Sequence, residues 1–348
     1  MSILVYGATG YTGQLIARTA RQLAMSVTIA GRNEAKLRAL AAETGFDHSA
    51  VELADTATLS EIVAAHDVVL HAAGPFSKTA DPMVEACLGG GTHYLDITGE
   101  IAILEAHRGL DRRARDAGIM IMSGVGFDVV TSDCLALHLQ ARMPDAVTLT
   151  LAMRGMGAMS RGSGKTAIEA INSGTATRRD GTIVQAKNVP RRRLQFGNQA
   201  VDCVGISWGD ISTAYYTTGI PNIAVYFEAT KDLEQIVGLP GLVKWLFGTP
   251  LGQAFLRRQI EKLPEGPDPE AQKAQVIQIL GIVEDARGRE MRAILTVPGA
   301  YHLTALTALR IAGEVDGGRV EPGSHNPAPV FGADFITTFD GCAITDFD

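Results

Sequence analysis

The chain has 348 residues, 46% of them hydrophobic and 20% charged, which is ordinary for a soluble globular enzyme and long enough for two domains with separate cores. Its net charge of -7, without a basic stripe, argues against a nucleic-acid partner. Four scattered cysteines, Cys87, Cys134, Cys203 and Cys342, lack C-x-x-C spacing, so neither a zinc site nor a disulfide framework is expected. No metal is expected, and the expected location is a reducing cytoplasm, since a first strand at the second or third residue leaves no room for a signal peptide.

The first thirty residues set the pattern. The apolar run ILVY (Ile3 to Tyr6) meets GATGYTG, with glycines at Gly7, Gly10 and Gly13, and then the helical pattern QLIARTARQLA. A second apolar run, VTIA, ends in Gly31-Arg32. Strand, glycine turn and helix in that order predict a grip on a pyrophosphate: Gly10 lets backbone N–H groups approach the anion, and Gly13 lets the helix pack closely. The spacing is G-x-x-G-x-x-G rather than G-x-G-x-x-G, so the flanking strand and helix carry the reading. Gly7, Thr9, Gly10, Tyr11, Thr12 and Gly13 are the candidate dinucleotide contacts. Arg32 stands where an acidic residue would bind a ribose 2'-hydroxyl, and an arginine there predicts NADP (NADPH).

Strand and helix patterns alternate onward to about residue 142. EAKLRALAAE is helical, SAVEL a strand, TATLSEIVAA a helix, and DVVLHAAG a strand that stops at Gly74-Pro75-Phe76. A helix through PMVEACLG, a short strand HYLDI, one helix through ILEAHRGLDRRARDAG and a strand IMIMSG follow. Six strands with intervening helices predict an α/β fold, a doubly wound parallel Rossmann sheet in the order 3-2-1-4-5-6, with ligands at the carboxyl ends of strands one and four. Ala72, Ala73 and Gly74 are small enough for a cofactor to cross, and Pro75 and Phe76 complete that edge. Asp55, just past strand three, is a candidate for the adenine amine. The nicotinamide is expected near His71 to Phe76, Asp96 to Glu100 and Gly126, Phe127 and Asp128, facing a cleft between domains. Asp96, Asp128 and His71 are the candidate catalytic groups, as a charge partner or proton source, with helix capping and core packing as the alternative roles. Tyr94 and Glu100 are candidate substrate contacts.

Beyond residue 142 the rhythm changes. AVTLTLAMRG reads as a strand, GSGKTAIEAINSG as a loop entering a helix, and 182 to 204 as short strands. Ser207 to Thr217 is helical, PNIAVYFEAT a strand, and QVIQILGIVEDARGREMRAILTV a hairpin about Arg287-Gly288. These predict an α+β domain with a mixed or antiparallel sheet. The expected division is 1-130 for NADP, 131-300 for substrate and dimerisation, and 301-348 for a C-terminal helix and strands, the helix a candidate to return to the first domain. Trp208 and Asp210 are the substrate candidates here. GSGKT lacks the first glycine of a phosphate-binding P-loop, Met159 standing in its place, and Arg191-Arg192-Arg193 reads as a solvated strand edge. LEQIVGLPGLVKWLFGTPLGQAF is densely apolar, but Pro240, Pro250 and Lys244 interrupt it, so no transmembrane segment is expected. Residues 233 to 255 are expected to be core or a dimer contact, or else a wall for an acyl chain or a peripheral membrane contact.

Taken together, VYGATGYTGQL, AGRN, HAAGPF, HYLDITGE, GVGFDVVTSD, WGDISTAYYTTGIPN and PGSHNPAPVFGADF resemble the saccharopine dehydrogenase-like oxidoreductases, in particular the short bacterial members. The resemblance covers nearly the whole chain. It implies an NAD(P)-dependent reductase, a nucleotide domain followed by a catalytic domain that dimerises, and small-molecule substrates, either carbon–nitrogen double bonds or enoyl lipid precursors. Where many relatives have Ser-x-Pro-Ser-Asp after Gly-Phe-Asp, this chain has Val-Val-Thr-Ser-Asp, which argues against saccharopine itself. A short-chain dehydrogenase is excluded, since no tyrosine has a lysine four residues on. The readings carried forward are an NADP oxidoreductase for a small imine, amine or oxo compound, an enoyl reductase, and a non-catalytic NADP-binding regulator.

Overall fold

The computed structural model describes residues 2–169, 174–186 and 188–347. It forms two compact units, Met1–Val130 with Tyr301–Pro327, and Thr131–Ala300 with Ala328–Asp348.

The first unit alternates β1 (Ile3–Tyr6), α1 (Tyr11–Gln22), β2 (Thr28–Gly31), α2 (Glu34–Thr44), β3 (His48–Ala50), α3 (Thr56–Ala64), β4 (Val68–His71), α4 (Phe76–Gly90) and β5 (His93–Asp96). Two helices, α5 (Ile101–Arg108) and α6 (Asp111–Ala117), lead to β6 (Met120–Met122), and α7 (Phe127–Arg142) begins at its end. The strands are wholly parallel, so both faces need cover, and β1, β4 and β6 are apolar throughout except for Tyr6 and His71 at their carboxyl ends. The strand order is 3-2-1-4-5-6, as the alternation predicts, with a seventh strand beside β6.

That seventh strand, β15 (Gly323–Ser324), comes from late in the chain after α14 (Ala300–Asp316), and two residues leave no pattern to read. Asp111 Oδ1 accepts from Ser324 N at 2.9 Å, and Arg108 Nη1 donates to Ser324 O at 2.5 Å. Gly323 has φ +130°, and a Cβ there would stand 2.7 Å from Asp111 Oδ1, so the latch requires glycine. Two other boundaries differ from the sequence pattern. The single helix expected over residues 103–118 breaks at Gly109. The helix expected from Pro82 starts earlier, at Phe76, because the Glu100 carboxylate accepts from Phe76 N and Ser77 N and so satisfies its first turn.

The second unit contains β7 (Ala146–Arg154), α8 (Arg161–Glu169), β8 (Thr175–Arg179), β9 (Thr182–Ala186), β10 (Arg191–Phe196), β11 (Gln199–Gly205), α9 (Asp210–Thr218) and β12 (Asn222–Glu228). The last stretch of the expected GSGKTAIEAINSG helix, residues 170–173, lies outside the described residues. Four short helices follow, α10 (Lys231–Val237), α11 (Gly241–Gly248), α12 (Pro250–Ile260) and α13 (Pro269–Ala274). The hairpin β13 (Val276–Asp285) and β14 (Glu290–Pro298) turns at Arg287-Gly288, and α15 (Pro327–Phe331), a 3-10 turn (Ala333–Thr338) and β16 (Ala343–Phe347) close the chain.

The sheet runs β10-β11-β12-β7-β13-β14-β16 and is mixed: β12 pairs parallel with β7, to which it is joined by a long crossover, while the other pairs are antiparallel. Helix α7 lies on one face. A Cβ at Gly281 would fall 2.5 Å from Leu139 Cδ1, so β13 approaches α7 closely there. The Arg191–Arg193 run is on the edge strand β10, with Arg191 paired to Glu234.

Asp133 of α7 is fully buried in this unit, accepting from Thr217 Oγ1 at 2.5 Å and Ala328 N at 2.9 Å. Burial, partly offset by those bonds, pushes its carboxyl up to about 7. A carboxyl whose folded value is raised stabilises the fold below the unfolded value and loses that contribution as pH rises through the folded one, so stability falls across roughly pH 4 to 7. The expected slope is about 1.4 kcal/mol per pH unit at most. Urea unfolding at pH 5 and pH 7 should therefore show the advantage of wild type over Asp133→Asn shrinking by about 2 kcal/mol; a pH-independent difference would contradict this origin.

Candidate NADP site

The glycine turn is a set of backbone contacts. Gly7 has φ +88°, and a Cβ there would lie 2.6 Å from Ala73 N and 2.8 Å from the Ala72 carbonyl carbon. The end of β1 is thus pressed against the end of β4, the pair expected to carry the cofactor. A Cβ on Gly13 would overlap Gly7 O and stand 2.7 Å from Ala8 Cα, so α1 packs on the turn itself. Gly10 caps α1 without a side-chain bond, is exposed, and has only Gly7 O within 4 Å of an added Cβ.

No acidic residue lies in the first turn of α1. A twelve-residue helix opening this way, behind a glycine, leaves its donors and partial positive charge to an anion, and a pyrophosphate fits there. Thr9, Tyr11 and Thr12 are partly exposed at the turn, with Tyr11 edge-on to Tyr301, ring centroids 5.1 Å apart. Thr9 also borders a cavity of about 220 Å³ between α1 and α2, lined by Gln14, Arg18, Lys36 and Glu43. Lys36 escaped the sequence reading, although it lies one helical turn past Arg32. Arg32 is exposed at the end of β2, near enough to the Tyr6 hydroxyl for its charge to counter the rise that burial imposes there.

Asp55 is the N-cap of α3, accepting from Thr58 N at 3.2 Å and Thr58 Oγ1 at 2.7 Å. Its carboxylate is engaged locally as a helix cap.

The β4 and β5 loops are joined by Glu100. It accepts from Phe76 N at 2.8 Å and Ser77 N at 2.9 Å, so its carboxylate fixes the Gly74-Pro75-Phe76 segment. Beneath these loops runs a buried polar row. Tyr6, His71 and Asp96 are in register on adjacent strands, and Tyr94 lies on the same face as Asp96. His71 Nδ1 is 3.2 Å from Tyr94 Oη, and its ring is edge-on to Phe76 at 5.2 Å.

Asp96 is 0% exposed and accepts from Thr98 N, Gly124 N and Ser123 Oγ at 2.9, 3.1 and 2.8 Å. The Ser123 proton is used there, which makes His107 Nδ1, 2.7 Å from Ser123 Oγ, the donor to that serine. Tyr94 and His71 are also fully buried. Burial, with His107 nearby, pushes the His71 imidazole down to about 3, so it is neutral at physiological pH. Burial, aided by Asp96, holds the Tyr94 hydroxyl well above its ordinary value. Tyr94, Asp96 and His71 were expected at the ligand; all three are fully buried in this unit, and Asp96 accepts from the loops above it. His107 and Ser123 belong to the same row and carried no sequence signal of their own.

Asp128 differs. It starts α7 on the carboxyl edge of the sheet, keeps part of its surface exposed, and lies against the Gly99 backbone, where a Cβ would meet Oδ2 at 2.9 Å. Dehydration pushes its carboxyl up to about 7. Gly126 packs on Thr304 of α14, whose Oγ1 accepts from Phe127 N at 3.0 Å, and Thr307 Oγ1 donates to Val125 O at 2.9 Å. Helix α14 therefore holds the turn that presents Asp128, a role that its apolar pattern did not announce. Trp208 and Asp210 lie in the second unit. Trp208 packs on Phe227 with centroids 4.9 Å apart, and Asp210 is the buried first residue of α9.

Residues 3–122 match the family model of the saccharopine dehydrogenase NADP-binding domain. The match covers most of the first unit and about a third of the chain. The cofactor is accordingly NADP(H), which the glycine cradle and Arg32 suit. Among curated proteins, the trans-acting enoyl reductase of Mycobacterium ulcerans is 32% identical over 158 residues, 43% of this chain and 38% of that protein. The trans-acting enoyl reductase of Mycobacterium bovis is 35% identical over 151 residues, 40% and 35% of the two chains. The matches thus span little more than a third of these relatives. The solved glutamate-forming saccharopine dehydrogenase of Saccharomyces cerevisiae superposes over 100% of both chains with a TM-score of 0.68 at 13% identity, which shows a shared fold.

A hydrogen bond to a charged group contributes roughly 1.5 to 3 kcal/mol, about ten- to a hundredfold in affinity. Arg32→Ala in this saccharopine dehydrogenase-type domain should raise the Kd for NADPH by that factor and leave NADH nearly unchanged in fluorescence titrations. Equal losses for both would show that Arg32 does not read the 2'-phosphate.

Proposed function

We propose that the chain is an NADP(H)-dependent reductase of a polarised double bond, with Asp128 as its proton donor. The observation that carries the reading is the pairing, in one unit, of a glycine cradle for the dinucleotide with a carboxyl held near neutrality at the same edge of the sheet. Bound NADPH supplies hydride. The product also needs a proton, and Asp128, its carboxyl pushed up to about 7, is suited to give one. Asp96, Glu100 and the Gly126-Phe127 turn shape the loops. Neutral His71 and buried Tyr94 keep those loops from shifting, and Trp208 and Asp210 remain substrate candidates in the second unit.

For the substrate we favour an activated alkene on an acyl thioester. The two enoyl reductases matched at 32% and 35% identity support this choice, over part of their length. The small imine or oxo substrate is the second reading, supported by the iminium that a nearby carboxylate would stabilise. The chain is proposed to work as a cytoplasmic homodimer.

Asp128→Asn should lower kcat by roughly 10²- to 10⁴-fold while the Kd for NADPH stays within about twofold. Because the acid must be protonated, wild-type kcat should fall as pH rises above about 7, and the variant should lack that limb. NADPH oxidation with enoyl thioesters, and not with amine and oxo-acid pairs, is the expected substrate pattern. The opposite pattern would select the imine reading, and binding without turnover on either panel would make the chain a non-catalytic NADP-binding protein.

A further inference from the structure

Helix α12 faces the wrong way for a soluble surface helix. Its inner side meets α8, where a Cβ on Gly164 would lie 2.9 Å from Ile260 Cδ1, while Leu251 and Phe255, on its outer side, are 85% and 54% exposed. Trp245 and Leu246, near the end of the adjoining α11, are 63% and 54% exposed. Soluble helices turn their large apolar residues inward, and a contiguous exposed apolar crest marks a docking face.

Charge selects what docks there. Residues 235 to 260 contain no aspartate or glutamate, and Lys244, Arg257 and Arg258 are their only charged residues, in a chain whose net charge is -7. The acids that flank the run are matched, Glu234 by Arg191 at 2.5 Å and Glu261 by Lys165 at 3.4 Å. A two-fold contact between copies would bring two segments of like charge sign together, which opposes self-association. An apolar crest with tryptophan, bordered by arginine, instead complements acyl chains beneath anionic headgroups. Among the described residues no helix is long and apolar enough to cross a membrane, and α11 and α12 span eight and eleven residues, so the segment would lie in the interface plane.

We infer that the outward face of α11 and α12 is a docking surface for an anionic lipid bilayer. The inference is independent of which bond is reduced, since the surface belongs to the second unit and needs no substrate.

Flotation of the full-length protein with phosphatidylglycerol vesicles and with phosphatidylcholine vesicles tests it. Wild type should float with phosphatidylglycerol, more weakly at high salt, and far less with phosphatidylcholine. Arg258→Gln should lower the partition coefficient roughly fivefold. Leu251→Glu with Phe255→Glu should abolish flotation while the Kd for NADPH, reporting on the fold, is unchanged. Equal flotation of wild type and the glutamate variant, or no flotation of wild type, overturns the inference. A wild-type dimer that light scattering shows to dissociate in the glutamate variant, with no vesicle binding by either, assigns the face to a second copy and overturns it as well.

Discussion

The tightest constraint in the first unit is the meeting of three backbones at Gly7. The carbonyl of that residue underlies α1 at Gly13, and its α-carbon faces the Ala72–Ala73 peptide just past β4, with no space for a methyl group on either side. Interiors are close-packed, and backbone cannot withdraw as a side chain can, so these contacts fix where α1 starts relative to β4. Everything asked of a dinucleotide site follows from that placement: an uncapped helix start at Gly10, the small Ala73-Gly74 edge beside it, and Arg32 at the end of the next strand out. An isolated glycine-rich turn would not do this, because its conformational freedom would have to be removed by the ligand.

The second constraint is polar and lies directly beneath. A buried tyrosine, histidine or aspartate costs stability unless its hydrogen bonds are made, and the row from His71 through Tyr94 and Asp96 to Ser123 and His107 makes most of them. Such a row adds little net stability compared with an apolar core, but it admits few arrangements. Asp96 accepts from the backbone at Thr98 and Gly124, and Glu100 accepts from Phe76 and Ser77, so four loop N–H groups are committed to two carboxylates. The loops after β4, β5 and β6 are therefore held to one another rather than left to find their shape around a ligand.

This also explains which parts were legible in the sequence. The parallel sheet and its order followed from the alternation of patterns, and the roles of Gly7 and Gly13 from their position between strand and helix, because both are local and periodic. The site was harder to read. Tyr94, Asp96 and His71 sit at strand ends, as ligand-facing residues do, and only the cover over their face, which no local pattern reports, turns them into core. Glu100 and Asp55 likewise look like free acids until their backbone partners, 23 and 24 residues away for Glu100, are known. The strand Gly323–Ser324 and the support of α14 for the Gly126 turn depend on contacts with residues far apart in sequence, and two residues carry no period.

The acids at this edge of the sheet divide by what surrounds them. Asp96 and Glu100 each receive backbone donors and serve as fixed acceptors for the loops. Asp128 is of the same residue type and close in the fold, yet dehydration dominates there and favours the neutral acid. A fixed acceptor orders loops, whereas an acid near neutrality can give up a proton and recover it. The neutral member lies at the start of a helix whose first turn is pinned by Thr304, so its position is set by packing, and its charge state remains free to change.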